Sequence, residues 1–206
     1  IPASLRGVPV VGIIPCYCGD PAEGEKVLRP FRDLRPDLYA VEPRPFVAFQ
    51  EMLNPTVPPG WRYYWKSHYL APLSDPVIDV LIEWAWRARS PRSYTLLAHM
   101  GGAVARVPED ATAFAGRDAA HAININGVWT AEDADRADDT AWTRDFFDAV
   151  TPYATGKAYI NFIGNEGQER VRIAYGEAKY ARLAKLKAHW DAGNVFRMNQ
   201  NIIPSS

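Results

Sequence analysis

Apolar residues change their spacing several times along this chain, and each change predicts an element. Val8 to Ile14 is a short, almost wholly apolar run that reads as a strand. In the Gly19-Asp20-Pro21-Ala22-Glu23 stretch that follows, Asp20 can cap a helix, Pro21 suits its first position and Glu23 can close the capping box. A helix is predicted from there to about Phe31. Pro43, Pro45, Pro55, Pro58 and Pro59 keep 43–60 irregular, with only Phe46 to Leu53 free for a helical turn or two. Alternating aromatics from Trp61 to Leu70 predict a strand with Trp61, Tyr63, Trp65 and Tyr69 as one stripe and Lys66 on the other parity. Ser74-Asp75-Pro76 repeats the cap-plus-proline start, and Val77, Val80, Leu81 and Trp84 recur at helical spacing to about Arg89.

Downstream, Tyr94 to Val107 reads as a strand bent at Gly101-Gly102, and Ala119 to Trp129 as the next strand. Side chains two apart share a face. His121, Ile123, Ile125, Gly127 and Trp129 therefore form one set, expected to pack on helices. Ala122, Asn124, Asn126 and Val128 form the other, whose two amides suit a polar pocket because burial without partners is costly. A helical region is predicted to run, with a break, from Thr130 to Val150, and its acidic stretch Glu132 to Asp139 reads as a solvated face. Lys157 to Ile163 reads as a short strand, and Glu177 to Trp190 as a helix with Tyr180, Leu183, Leu186 and Trp190 on one side and Gly193 past its end. The predicted fold class is α+β: an antiparallel or mixed sheet with helices packed on one face, followed by a C-terminal strand, helix and extended tail.

Composition narrows the function classes. The 206 residues are 48% hydrophobic and 23% charged with a net charge of −1, which suits a globular protein and offers no basic stripe for nucleic acid or an anionic membrane. No apolar run approaches the roughly 18 residues of a membrane span. The four histidines are widely spaced and Cys16 and Cys18 have no further ligand beside them, so no metal site is expected. Reduced thiols are expected, because a disulfide across so short a loop is strained. The chain has no G-x-S-x-G elbow, Walker loop or G-x-G-x-x-G turn, and chemistry motifs alone leave it unassigned.

The last fifty residues change that. The string AYINFIGNEGQERVRIAYGEAKYARLAKLKAHWDAGNVFRMNQNIIP resembles the C-terminal signature of the berberine bridge enzyme and 6-hydroxynicotine oxidase family of FAD-linked oxidases. The resemblance is carried by Tyr159, Asn161 and Phe162, Tyr175-Gly176, Arg182-Leu183, Leu186-Lys187, Asp191, Asn194, Phe196, Gln200 and Ile202, and upstream by YYWKSHYLAPLSDPVIDVL and MGGAVARVPEDATAFAGRDA. Gly116-Arg117 stands where many relatives have His-Arg.

The resemblance implies a substrate-binding domain over 1–155 and a berberine-bridge-like segment over 156–206 that returns to the flavin. FAD would be held mainly by an N-terminal domain absent from this chain, so the chain alone is expected neither to retain the cofactor nor to be active. Tyr159 and Asn161, with Asn199 and Gln200 on the tail, are the residues implied for cofactor contact. Substrate contact is expected from Asn124, Asn126, Phe162, Trp65 and His99, and His99 is the candidate catalytic base. The partners implied are a small-molecule substrate and the flavin domain, with no nucleic acid and no membrane. A chain cut from that domain would expose an apolar face and self-associate. The opening Ile1-Pro2-Ala3, with no signal-peptide pattern, reads as a fragment or processed form and favours the cytoplasm over secretion. A flavin-free binding module reusing the same sheet stays open as an alternative.

Overall fold

The computed structural model describes residues 5, 7–133 and 136–205. Ile1-Pro2-Ala3 and the middle of the acidic stretch, residues 134 and 135, lie outside them. The chain forms two compact units, Ile1–Pro59 and Gly60–Ser206, so the functional division expected at 155/156 falls inside the second.

In the first unit, helix α1 (Pro21–Asp33) begins as its sequence predicts, with the Asp20 carboxylate accepting from the backbone N–H groups of Ala22 and Glu23 at 3.0 and 3.2 Å. Helix α2 (Phe46–Glu51) and a 3-10 turn (Asn54–Thr56) follow. The strand expected at Val8 to Ile14 does not form. A strand needs a neighbour for its backbone groups, this run pairs with none, and its side chains stay exposed, Val11 by 95%.

The second unit carries an antiparallel sheet of β1 (Arg62–Leu70), β2 (Tyr94–His99) and β3 (His121–Trp129) in the order β1-β3-β2. Its helices are α3 (Asp75–Trp86), the single turn α4 (Ala103–Arg106), α5 (Arg136–Val150), α6 (Gln168–Tyr175) and α7 (Glu177–Trp190). The expected α+β class is the one observed. Ile123 and Ile125 of β3 and Leu70 of β1 pack with Trp142, Phe146 and Val150 of α5 into a buried cluster, with Val80, Leu81 and Trp84 of α3 at its edge. Helix α5 comes so close to β3 at Gly127 that a Cβ there would lie 2.6 Å from Thr143 Oγ1 and 2.7 Å from the Asp139 carbonyl oxygen. Asp139 itself is not on a solvated face. It is buried, and its carboxylate accepts from Ser90 N–H at 3.2 Å and Ser93 Oγ at 3.1 Å, tying the β2 approach to α5.

Two predicted strands are shorter or absent. β2 stops at His99, because the chain takes a left-handed conformation at Gly102 (φ +65°) and turns into α4 instead of continuing through a bulge. Residues 157–163 do not pair as a strand: Phe162 N–H donates to the Tyr159 carbonyl at 2.8 Å and closes a 3-10 turn over Ile160–Phe162. Helix α6 lies where no element is predicted. It is separated from α7 by Gly176 at φ +78°, and together they bury Val171, Ala174, Tyr180 and Ala184 with Ala158 and Ile163. Among the described residues, no helix is long and apolar enough to cross a membrane.

Candidate functional site

The face of the sheet turned away from α5 carries the candidate site. The register opposes Asn124 to Ser67 on β1 and to Leu96 on β2, and Asn126 to Trp65 and Tyr94. Asn124, Asn126 and Trp65, expected to line one surface, are therefore brought together on adjacent strands. Asn126 is only 4% exposed and its amide nitrogen donates to the Asn124 carbonyl at 3.1 Å; the two side chains meet at 3.4 Å.

Three polar atoms on this face are buried and find no hydrogen-bond partner: Tyr63 OH, Ser67 Oγ and Asn124 Oδ1. Each such atom costs on the order of 1–3 kcal/mol when left unmade. Ser67 directly opposes Asn124 and Tyr63 lies four residues away on the same face of β1, so this face carries two hydroxyls and an amide carbonyl whose hydrogen-bonding capacity is unused. Ser67 falls in the YYWKSHYL string but is not singled out there as a site residue. Its only signal is parity with the aromatic stripe of β1.

At one end of this face sits the start of the C-terminal segment. Tyr159 packs on the cluster of Tyr69, Ala119 and Ala122, with the Phe162 ring edge-on at 4.9 Å and the Phe114 ring at 5.8 Å. Asn161 donates its amide N–H to Tyr159 OH at 2.7 Å and is exposed. The turn thus unites Tyr159 and Asn161 as the sequence implied. It also gathers in Phe162, which a regular strand would turn to the opposite side from Tyr159 and Asn161. Gln200 Nε2 donates to the carbonyls of Ile163 at 2.7 Å and Gly164 at 3.2 Å, fastening the tail to the turn. Asn199 beside it is exposed and adopts φ +58°.

His99 lies apart. It opposes His121 across the β2–β3 ladder, one step out of phase with Ala98 and Leu96, so it belongs to the face opposite Asn124 and Asn126. Its ring stands 5.4 Å from that of His121, whose pKa is lowered by burial and by His99.

A loop closes the other flank. Gly116 has φ +82°, and a Cβ there would fall 2.2 Å from the Tyr69 ring. The aromatic ring fills the space beside Gly116. Tyr69 OH donates to the Ala115 carbonyl at 2.9 Å, and burial pushes its pKa up. The loop is latched by Glu109, whose carboxylate accepts from Gly116 and Arg117 N–H and from Lys179 Nζ at 3.1 Å. Lys179 also donates to the carbonyls of Glu109 and Phe114, a role that nothing in sequence spacing announces.

Residues 158–203 match the model of the family described as berberine and berberine like. The chain ends in a berberine-bridge-type segment. Over 97% of its length the chain is 27% identical to an FAD-linked oxidoreductase of Dictyostelium discoideum, of which it covers 43%. Over 68% of its length it is 32% identical to the berberine bridge enzyme-like Cyn d 4 of Cynodon dactylon, of which it covers 30%. Among solved structures, the Bermuda grass isoallergen BG60 superposes with a TM-score of 0.70 at 23% identity over 92% of this chain and 45% of that one, which establishes a shared fold. The chain spans less than half the length of the relatives it matches.

The Dictyostelium discoideum relative is named as FAD-linked, and the residues here fit part of that cofactor. Aromatic rings and neutral amides around Tyr159 and Asn161 suit the edge of a flat, uncharged ring system. The sequence offers no glycine-rich turn for the phosphates.

Proposed function

We propose that this chain is the substrate-side part of an FAD-linked oxidoreductase that removes hydride from a small organic substrate, with O2 as final electron acceptor. The observation that carries this reading is the set of unpaired buried atoms, Tyr63 OH, Ser67 Oγ and Asn124 Oδ1, on one sheet face whose end is occupied by Tyr159 of the berberine-bridge-type segment. When bound, FAD supplies the two-electron acceptor. The chain's own residues orient the substrate. The two hydroxyls and the Asn124 carbonyl fix its polar groups, and Trp65 forms an apolar wall. Tyr159 and Asn161 would meet the ring edge, with Asn199 on the neighbouring tail.

None of these side chains can take a proton near neutral pH. A substrate whose own lone pair drives hydride loss, such as an amine, therefore fits the site better than an alcohol. The alternative source of a base is the remainder of the longer protein to which the chain would belong.

The test has two arms. The chain alone, loaded with FAD and desalted, should be colourless, because a ring-edge contact does not offset the entropy of holding a large cofactor. Expressed together with an FAD-binding segment from its own reading frame, it should be yellow, and Asn124→Leu should then raise KM about tenfold, the equivalent of one lost polar contact, at unchanged flavin content. Flavin absorbance that survives desalting of the chain alone, or an Asn124→Leu enzyme with unaltered kinetics, overturns the reading.

A further inference from the structure

The thiols of Cys16 and Cys18 in the first unit are free, exposed and 3.7 Å apart. Tyr17 between them is turned onto α1: a Cβ on Gly24 would come within 2.8 Å of its ring, and one on Gly19 within 2.7 Å. Asp20 caps the same helix two residues after Cys18. The backbone carrying the sulfurs is thus anchored at Tyr17 between them and at Asp20 just after them, and the pair is held without a disulfide.

Both cysteines open into a cleft also lined by Glu25, Arg32, Glu42 and Arg44. Those four charges are matched among themselves, Arg32 with Glu25 at 3.2 Å and Arg44 with Glu42 at 2.7 Å. The sulfurs are the soft ligands left in the cleft. Two thiolates on one tetrahedral zinc, each with a bond of about 2.3 Å, stand about 3.8 Å apart. The observed 3.7 Å needs no rearrangement to reach that separation. A disulfide, at about 2.05 Å, would require the sulfurs to close by well over an ångström within a very short loop.

We propose that Cys16 and Cys18 form a two-sulfur half-site for a soft d10 cation of the zinc class, with two coordination positions left open. Binding releases the thiol protons, and the two thiolates neutralise the dication. Oxygen-preferring magnesium and calcium are excluded by the ligand type. Among the described residues no group of three or more potential ligands gathers on the chain, so water or the same pair from a second copy completes the sphere.

Cadmium is the probe. The reduced, metal-free full chain should develop a sulfur-to-metal charge-transfer absorbance on cadmium titration that saturates at one cation per chain, or at one per two chains where a second copy supplies the missing ligands. Zinc should displace the cadmium, and Cys16→Ser and Cys18→Ser should each abolish the band. Absence of the band at stoichiometric cadmium, or its persistence in either variant, overturns the proposal. So does oxidation of the pair to a disulfide, read by mass and thiol titration, that bound zinc fails to slow.

Discussion

His68 shows how one buried side chain sets a pH response. Placed on the helix side of β1 and 4% exposed, it stacks on Phe147 at 3.9 Å, and its Nε2 meets Thr151 Oγ1 at 3.0 Å. Burial, reinforced by the Arg170 cation, lowers its pKa to about 4 from an ordinary 6.5. Above pH 6.5 both folded and unfolded chains carry a neutral ring and the group has no effect. Between 6.5 and about 4 the unfolded chain takes up a proton that the fold refuses, so stability falls as pH drops, by roughly 3 kcal/mol across the window. His68→Phe keeps the stack, and Thr151 Oγ1 still donates to the Phe147 carbonyl. Urea denaturation from pH 7 to 5 should therefore show a flatter decline in the variant. An unchanged slope would mean that the ring is protonated within the fold. The second histidine prediction concerns turnover. Because His99 lies on the face opposite Asn124, His99→Ala in the longer FAD-linked enzyme proposed above should leave kcat and its pH profile unchanged. A loss of about 100-fold, as expected for removal of a general base, would restore His99 to the mechanism. Parity within β3 was legible from the sequence, since the alternation of isoleucine and asparagine marks both faces. The phase of β2 against β3 was not, because register is a property of the pairing and a single-residue step moves a side chain to the other face.

At the level of elements, legibility followed local chemistry. The two helices with a proline in the first turn, α1 and α3, begin where predicted, α1 through the Asp20 cap and the fixed φ of Pro21, α3 through Pro76 alone, since Ser74 makes no side-chain cap hydrogen bond. Strands whose existence depends on a partner fared worse. Val8 to Ile14 has the composition of a strand and no strand beside it, while residues 157–163 exchange a ladder for a turn that brings Tyr159, Asn161 and Phe162 together. The contact of α5 with β3 is another feature outside local reading. Gly127 falls in the helix-facing set, yet nothing in its neighbours tells how closely the helix approaches. Since a backbone carbonyl stands 2.7 Å from the place of its missing Cβ, the neighbour cannot simply rotate away. Gly127→Ala should destabilise the second unit by about 1–3 kcal/mol, the usual cost of overpacking, read as a lower urea midpoint at constant m-value. A neutral or stabilising result would show that α5 slides easily on the sheet.

On the scale of the whole molecule, the distribution of uncovered apolar surface carries the remaining prediction. Trp190, Val195, Phe196 and Met198 are each at least 74% exposed within nine residues at the C-terminal end of the second unit. They are not on a loose tail. The Asp191 carboxylate accepts from Val195 N–H at 2.8 Å and Phe196 N–H at 3.1 Å, and Lys187 donates both to that carboxylate and to the Phe196 carbonyl. The Lys187 cation and these N–H groups hold the Asp191 pKa below its ordinary value, so the latch stays closed at neutral pH. A preordered apolar patch loses little entropy when it is covered, which makes it sticky. We expect the isolated chain to self-associate through this turn. Light scattering over a concentration series should give a rising average mass, and Phe196→Ser with Met198→Ser should return it to the monomer value without altering helix content. Loosening the latch with Asp191→Ala should also weaken association, because the patch would then have to be ordered on contact. A monodisperse monomer at high concentration would refute the association, and association indifferent to all three substitutions would place the sticky surface elsewhere.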